Sequence, residues 1–139
     1  MTEEAPPDAE QILSDYEDLL NGDFSKLDVL SESYTFYGPG MPEEGLHRDA
    51  FEEYIRGNLE AFSDHQHTVD EMATGDEVIM SEWTVTGTHD GEFNGIAPTG
   101  RKIEFNTMTK QVIKDGQIQE ERGYFDTQEM LSQLGVTDE

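Results

Sequence analysis

The hydrophobic pattern changes period once along this chain, near Ser63, and that change limits the folds open to it. Up to Ser63 the apolar residues recur mainly at helical spacing; beyond it they alternate, as in half-buried strands. In the first part Ile12, Leu13, Tyr16, Leu19 and Leu20 form one apolar stripe, with Asp8 as the expected N-cap and Asn21-Gly22 as the stop. Asp23 to Leu30 reads as a second, shorter helix burying Phe24, Leu27 and Leu30. Ser33 to Tyr37 reads as a strand, followed by the Gly38-Pro39-Gly40 turn and a loop through Gly45. Asp49 with Glu52 forms an expected capping box, opening a helix with Phe51, Tyr54, Ile55, Leu59 and Phe62 on one face.

In the second part four strands are expected: His65 to Met72, Glu77 to His89, Lys102 to Ile113 and Gln117 to Phe125. Thr74-Gly75-Asp76, the Asp90–Gly100 loop and the two-residue Asp115-Gly116 turn separate them. A short helix, ending near Leu134-Gly135, closes the chain. Strands joined by short turns make a mostly antiparallel sheet, with the helices packed on one face. The fold class is therefore α+β; a mostly antiparallel sheet that curves strongly, with the helices on its concave side, would form a cone with an internal pocket. The expected division is a flexible acidic arm over 1–7, one domain over 8–136 and a tail over 137–139. A chain of 139 residues suits one core of that kind.

Charge excludes several functions. There are 32 acidic residues against 8 basic ones, a net charge of −24, spread along every segment rather than gathered in a tail. Such a field repels phosphate backbones and anionic membranes, so neither nucleic acid nor membrane is an expected partner. A well-solvated acidic shell poor in lysine fits life in molar salt, where screening acts over a few Å. The absence of cysteine removes disulfides, thiolate metal sites and cysteine nucleophiles. The first ten residues lack a basic segment followed by an apolar one, so no secretory signal is expected, and the expected location is the cytoplasm.

Gly95 to Lys102 brushes against a phosphate-loop pattern, but Arg101 and Lys102 stand where lysine and a hydroxyl are needed, and a strand follows. It reads better as a turn. His65 and His67 share a strand face and His89 ends the next strand; they read as polar strand-end residues or pocket donors, with no metal expected. Trp83, Val85, Gly87 and His89 share one face, which puts Trp83 on the floor and His89 at the rim if that face is concave. Tyr16, Tyr37, Tyr54, His67 and Met108 are further candidate lining residues. Arg122, Tyr124 and Asp126 project to one side of the last strand, Glu121, Gly123 and Phe125 to the other. Asp126 has two readings. It fits a capping box with Glu129, kept ionised by the helix dipole and by Arg122, or it is a carboxyl aimed into the pocket and desolvated there.

GTHDGEFNGIAPTG over residues 87–100 and YFDTQEMLSQLG near the end resemble paired motifs of the SnoaL-like polyketide cyclase family, also called ester cyclases. The DGQI hairpin is similar too, and the likeness runs over residues 8–136. It implies the nuclear-transport-factor-2-like cone. It also implies acid/base catalysis without metal or cofactor: an aspartate removes a proton beside an ester carbonyl and an intramolecular aldol closes a ring. By its place before the tail motif, Asp126 carries that role over. His89 is the second catalytic candidate, and Trp83, Tyr124 and Arg122 join the substrate-binding ones. A tryptophan common in relatives is replaced here by Arg122. The expectation is a cyclase- or isomerase-like enzyme acting on a small apolar carbonyl compound, as a homodimer. The alternatives are a non-catalytic small-molecule-binding module, or a hydratase- or epoxide-hydrolase-like enzyme.

Overall fold

The computed structural model describes residues 6 and 8–135, so the expected arm, Pro6 excepted, and the tail lie outside the described residues. Helix α1 spans Ala9–Leu20, a 3-10 segment Phe24–Val29, strand β1 Leu30–Tyr37, β2 Leu46–His47 and helix α2 Arg48–Ala61. Strands β3 (Gln66–Gly75), β4 (Val78–Thr88), β5 (Lys102–Lys114) and β6 (Gln117–Tyr124) follow, then helix α3, Thr127–Gln133. The sheet runs β2-β1-β6-β5-β4-β3. Among the described residues only the β1–β6 pair is parallel, which sets the first strand of the sheet beside the last.

α1 buries the predicted stripe Ile12, Leu13, Tyr16, Leu19 and Leu20 against one sheet face. Asp8 precedes it in a left-handed backbone conformation (φ 63°) and its side chain caps nothing. The second expected helix is a 3-10 turn capped by Asp23, whose carboxylate accepts from Ser25 N at 3.2 Å; Leu30 already belongs to β1. The Asp49–Glu52 capping box does not form. Leu46 and His47 instead pair with Phe36 and Thr35 as β2, a strand too short to show a period, and α2 starts two residues earlier, at Arg48 with His47 as its N-cap. Strand pairing, rather than a side-chain cap, sets the entry of that helix.

The four later strands match the period-two reading closely. Asp115 (φ 53°) and Gly116 (φ 78°) make the tight turn between β5 and β6. Between Val112–Glu120 and Ile113–Ile118 the pairing slips by one residue, leaving an extra residue in β6 at Gln119. A bulge of this kind reverses which side chains face the core. Ile118 is buried on one side of it, and Glu121 and Gly123, not Glu120 and Arg122, are buried on the other.

A main core joins α1, α2, β1 and the inner face of β4 to β6 around Phe51, Tyr34, Trp83 and Ile118. A smaller one gathers Ala61, Phe62, Val85, Ile103, Phe105 and Leu134 at the α3 end. Gly91 lets the loop after β4 lie on the end of α2: a Cβ there would sit 2.1 Å from the Glu60 carbonyl oxygen.

Candidate functional site

Between the sheet and the helices lies a cavity of about 320 Å³. Tyr16 and Leu20 of α1, Phe51 and Tyr54 of α2, and Trp83 and Val85 of β4 form much of its wall. The loop 38–45 contributes Met41, and the loop 90–100 contributes Phe93, Asn94 and Ile96. Mostly apolar and aromatic walls with few polar groups are the usual make-up of a small-molecule site.

The carboxyl in this cavity is Glu121, 1% exposed. The β6 bulge turns it inward. The Tyr16 hydroxyl donates to its Oε1 through a short bond, the Tyr34 hydroxyl donates to the same oxygen at 2.8 Å, and Gln111 Nε2 donates to Oε2 at 2.8 Å. Burial raises the pKa of Glu121 above its ordinary value, against the pull of these three donors. Burial, with the Glu121 charge beside them, also holds both phenols well above theirs, so the tyrosines stay donors.

A chain of polar contacts leads from this carboxyl across the inner face. Gln111 Nε2 also donates to Thr109 Oγ1 at 2.7 Å, Thr109 and Ser81 hydroxyls are 2.6 Å apart, and Ser81 donates to Gln111 Oε1 at 3.2 Å. Trp83 Nε1 donates to Ser81 Oγ at 2.8 Å and to Thr109 Oγ1 at 3.2 Å. Register explains the cluster, because Ser81 lies opposite Thr109 and Gln111 opposite Glu121. Nothing in the composition marks these residues as a set. Their signal is that polar side chains occupy inward positions of three adjacent strands.

Asp126 stands elsewhere. It is exposed and caps α3, its Oδ1 accepting from Gln128 N at 3.0 Å and Glu129 N at 3.1 Å. Its neighbours Phe125 and Thr127 line the cavity; Asp126 does not. Arg122 does not reach Asp126. It pairs with Glu120 at 3.2 Å and its guanidinium lies 4.3 Å from the centre of the Tyr37 ring. Arg122 and Tyr124 (61% exposed) lie on the outer side of the sheet, where the β6 bulge turns them, and Tyr37 and Met108 (48% exposed) lie there by alternation with the lining residues Phe36, Thr107 and Thr109.

Tyr16, Tyr54, Trp83 and His67 do line the cavity, as does His65. His89 is fully buried but stands behind the wall, beside Phe62 with ring centres 5.4 Å apart. Its Nδ1 accepts from Thr99 N at 3.2 Å, tying down the loop that supplies Phe93 and Ile96. Its Nε2 has no partner among the described residues. Gly95 to Lys102 is the end of that loop and its exit into β5. Among the described residues, no group of three or more His, Asp or Glu is disposed to hold a metal ion, and no helix is long and apolar enough to cross a membrane.

No curated protein matches the chain. Among solved structures it is similar to IdmH, a putative polyketide cyclase from Streptomyces antibioticus, at 24% identity and a TM-score of 0.80, over 91% of this chain and 98% of that one. A putative polyketide cyclase from Acidithiobacillus ferrooxidans is similar at 21% identity and a TM-score of 0.81, over 93% and 95% of the two chains. A putative SnoaL-like polyketide cyclase from Jannaschia is similar at 16% identity and a TM-score of 0.79, over 98% and 99%. At these identities the likeness is one of fold. The model of the SnoaL-like polyketide cyclase family matches residues 10–134, nearly the whole described chain with its cavity and its buried carboxyl, and the chain belongs to that family.

Proposed function

We propose that this chain catalyses cofactor-independent acid/base chemistry on a small, largely apolar carbonyl compound, with Glu121 rather than Asp126 as the working carboxyl. The observation that carries this reading is a carboxyl 1% exposed, on the wall of an apolar cavity, with its pKa raised by burial. A base that must take a proton from carbon works best when its pKa lies closer to neutrality than that of a free carboxylate.

The ionised Glu121 takes the proton from the carbon beside the ligand's carbonyl, and the electron pair moves to that carbonyl's oxygen. Tyr16 can turn its hydroxyl from Glu121 to this oxygen, because Tyr34 and Gln111 still hold the carboxylate. The enolate carbon then attacks a second carbonyl of the same molecule, or is reprotonated at a new position. The proton on Glu121 returns to the alkoxide or carbon. His89 and Asp126 act at a distance in this scheme, fixing the 90–100 loop and α3.

Proton removal is read without knowing the natural substrate. In deuterated buffer the protein should exchange the α-hydrogens of a cyclic aryl ketone such as 2-tetralone, followed by proton NMR. Glu121→Gln should lose about a hundredfold or more of that rate, the usual span for a general base, and Asp126→Asn should keep it within about twofold. Loss of exchange in Asp126→Asn with full exchange in Glu121→Gln refutes the assignment.

A second reading, a binding module without chemistry, is favoured by the three donors already on Glu121. It predicts ketone binding with no exchange in the unaltered protein. The acidic surface further supports a salt-rich cytoplasm, and exposed Met80, Met108 and Tyr124 on the outer sheet face are the proposed homodimer contact, testable by sedimentation in molar salt.

A further inference from the structure

The polar groups of the cavity wall are not confined to Glu121. His65 and His67 lie on β3 and the turn before it, with ring centres 4.5 Å apart, and both line the cavity. Each has a buried Nδ1 with no hydrogen-bond partner among the described residues. Buried polar atoms are nearly always satisfied, so a neighbouring pair of unsatisfied ones, in two residues that line a cavity, marks polar capacity the fold itself does not use.

Their position is built rather than incidental. Asn21, at the end of α1, clasps the His67 backbone from both sides: His67 N donates to Asn21 Oδ1 at 2.7 Å and Asn21 Nδ2 donates to His67 O at 2.9 Å. Glu17 accepts from Val69 N at 2.8 Å, fixing the same edge strand to the same helix. The His67 ring stands 6.0 Å from Trp83, edge to face, and Trp83 stands 5.9 Å from Tyr16, which bonds Glu121. Trp83 and Tyr16 thus lie between the two histidines and the carboxyl. Burial pushes His65 down to about 4 and His67 to about 3, with only Asp64 opposing this for His65. Both rings are therefore neutral at ordinary pH, and each offers one acceptor and one donor nitrogen.

We propose that His65 and His67 form a second subsite of the cavity, which takes an uncharged hydroxyl of the ligand, phenolic or enolic, while its carbonyl lies at Glu121 and Tyr16. The proposal rests on the proposed function only in taking the cavity as the ligand site. A hydroxyl supplies the donor and acceptor that two neutral imidazoles need. A methyl ether supplies no donor and leaves a buried nitrogen unpaired, which a site built for a hydroxyl penalises. A cation would need to enter between two rings that burial keeps neutral.

The test uses 4-propylphenol, 4-propylanisole and 4-propylbenzoate as probes, in molar potassium chloride. Calorimetry gives affinity, and the emission of Trp83, the only tryptophan in the chain, reports occupancy beside His67. The phenol should bind about tenfold or more tightly than the anisole, with little change between pH 6 and 8. In His67→Phe and His65→Phe that preference should fall to about twofold, while anisole binding is retained or improved, which also shows that the variants are folded. His67→Asn should restore part of it. In Glu121→Gln the preference should persist even where α-hydrogen exchange is lost, separating this subsite from the carboxyl's role. Equal affinity for phenol and anisole in the unaltered protein overturns the proposal, as does a preference that survives both phenylalanine variants. Tightest binding of the benzoate, strengthening as pH falls, also overturns it by making the pair an anion site.

Discussion

Glu121→Gln should inactivate the protein and leave its fold at least as stable at neutral pH. Three donors reach Glu121 in the folded state. A bond to a charged acceptor contributes about 1.5–3 kcal/mol against about 1 for a neutral one, so an amide loses roughly 0.5–2 kcal/mol at each contact its oxygen keeps, and its nitrogen keeps a bond to Gln111 only if that amide turns over. Opposing this, burying a carboxylate carries an effective penalty of several kcal/mol that an amide does not incur. The two terms are of like size, and the upward direction of the Glu121 pKa decides between them: desolvation outweighs the bonds. The sign follows by linkage. A carboxyl whose folded pKa is raised adds stability fully below its ordinary value of 4.5, and loses it as pH rises through the folded value. Denaturant unfolding of both forms from pH 4 to 8 should therefore show the unaltered protein losing ground to Glu121→Gln as pH rises. At the acid end the two should differ least. If Glu121→Gln instead falls further behind as pH rises, the carboxylate is stabilised by its donors, and the case for Glu121 as a poised base fails with it.

Asp126→Ala removes two bonds from the first turn of α3 and should lower stability by about 1 kcal/mol, seen in thermal unfolding, while α-hydrogen exchange persists. Gly91→Ala drives a Cβ onto the Glu60 carbonyl and should destabilise by about 2 kcal/mol or more, with loss of ligand affinity because Phe93 and Ile96 shift with their loop. His89→Leu frees the Thr99 amide and should raise KM for any turned-over ketone more than it lowers kcat, a split that a catalytic His89 would reverse.

The sequence makes the layers of this fold readable because strands β3 to β6 are long enough to display their period, and because α1 carries an unbroken apolar stripe. It does not reveal β2, whose two residues carry no period, nor the start of α2 that β2 determines. The site was legible in part. Trp83, Tyr16 and His67 are on the cavity wall where alternation and stripe put them. The carboxyl is harder to find. Strict alternation from the apolar Ile118 makes Arg122, Tyr124 and Asp126 the inner set, whereas the extra residue at Gln119 makes it Glu121 and Gly123. One unpaired residue in a strand leaves no mark in composition, yet it decides which of two nearby acids lines the cavity. Likewise His65 and His67 look like ordinary strand-end polar residues until the clasp from Asn21 is seen.

The polar chain behind Glu121 has a consequence for the work of moving a proton. An indole nitrogen can only donate, so Trp83 fixes one end of the chain. Between it and the carboxyl stand two hydroxyls, Ser81 and Thr109, and one amide, Gln111. Hydroxyls rotate and amides turn over, so this short run can face its dipoles toward a carboxylate or, reversed as a unit, toward a protonated acid. Neither state asks the sheet to move. A wall that reorients in place can follow a change in the charge of Glu121 through its own hydrogen bonds, each turn of a hydroxyl or amide carrying the next with it.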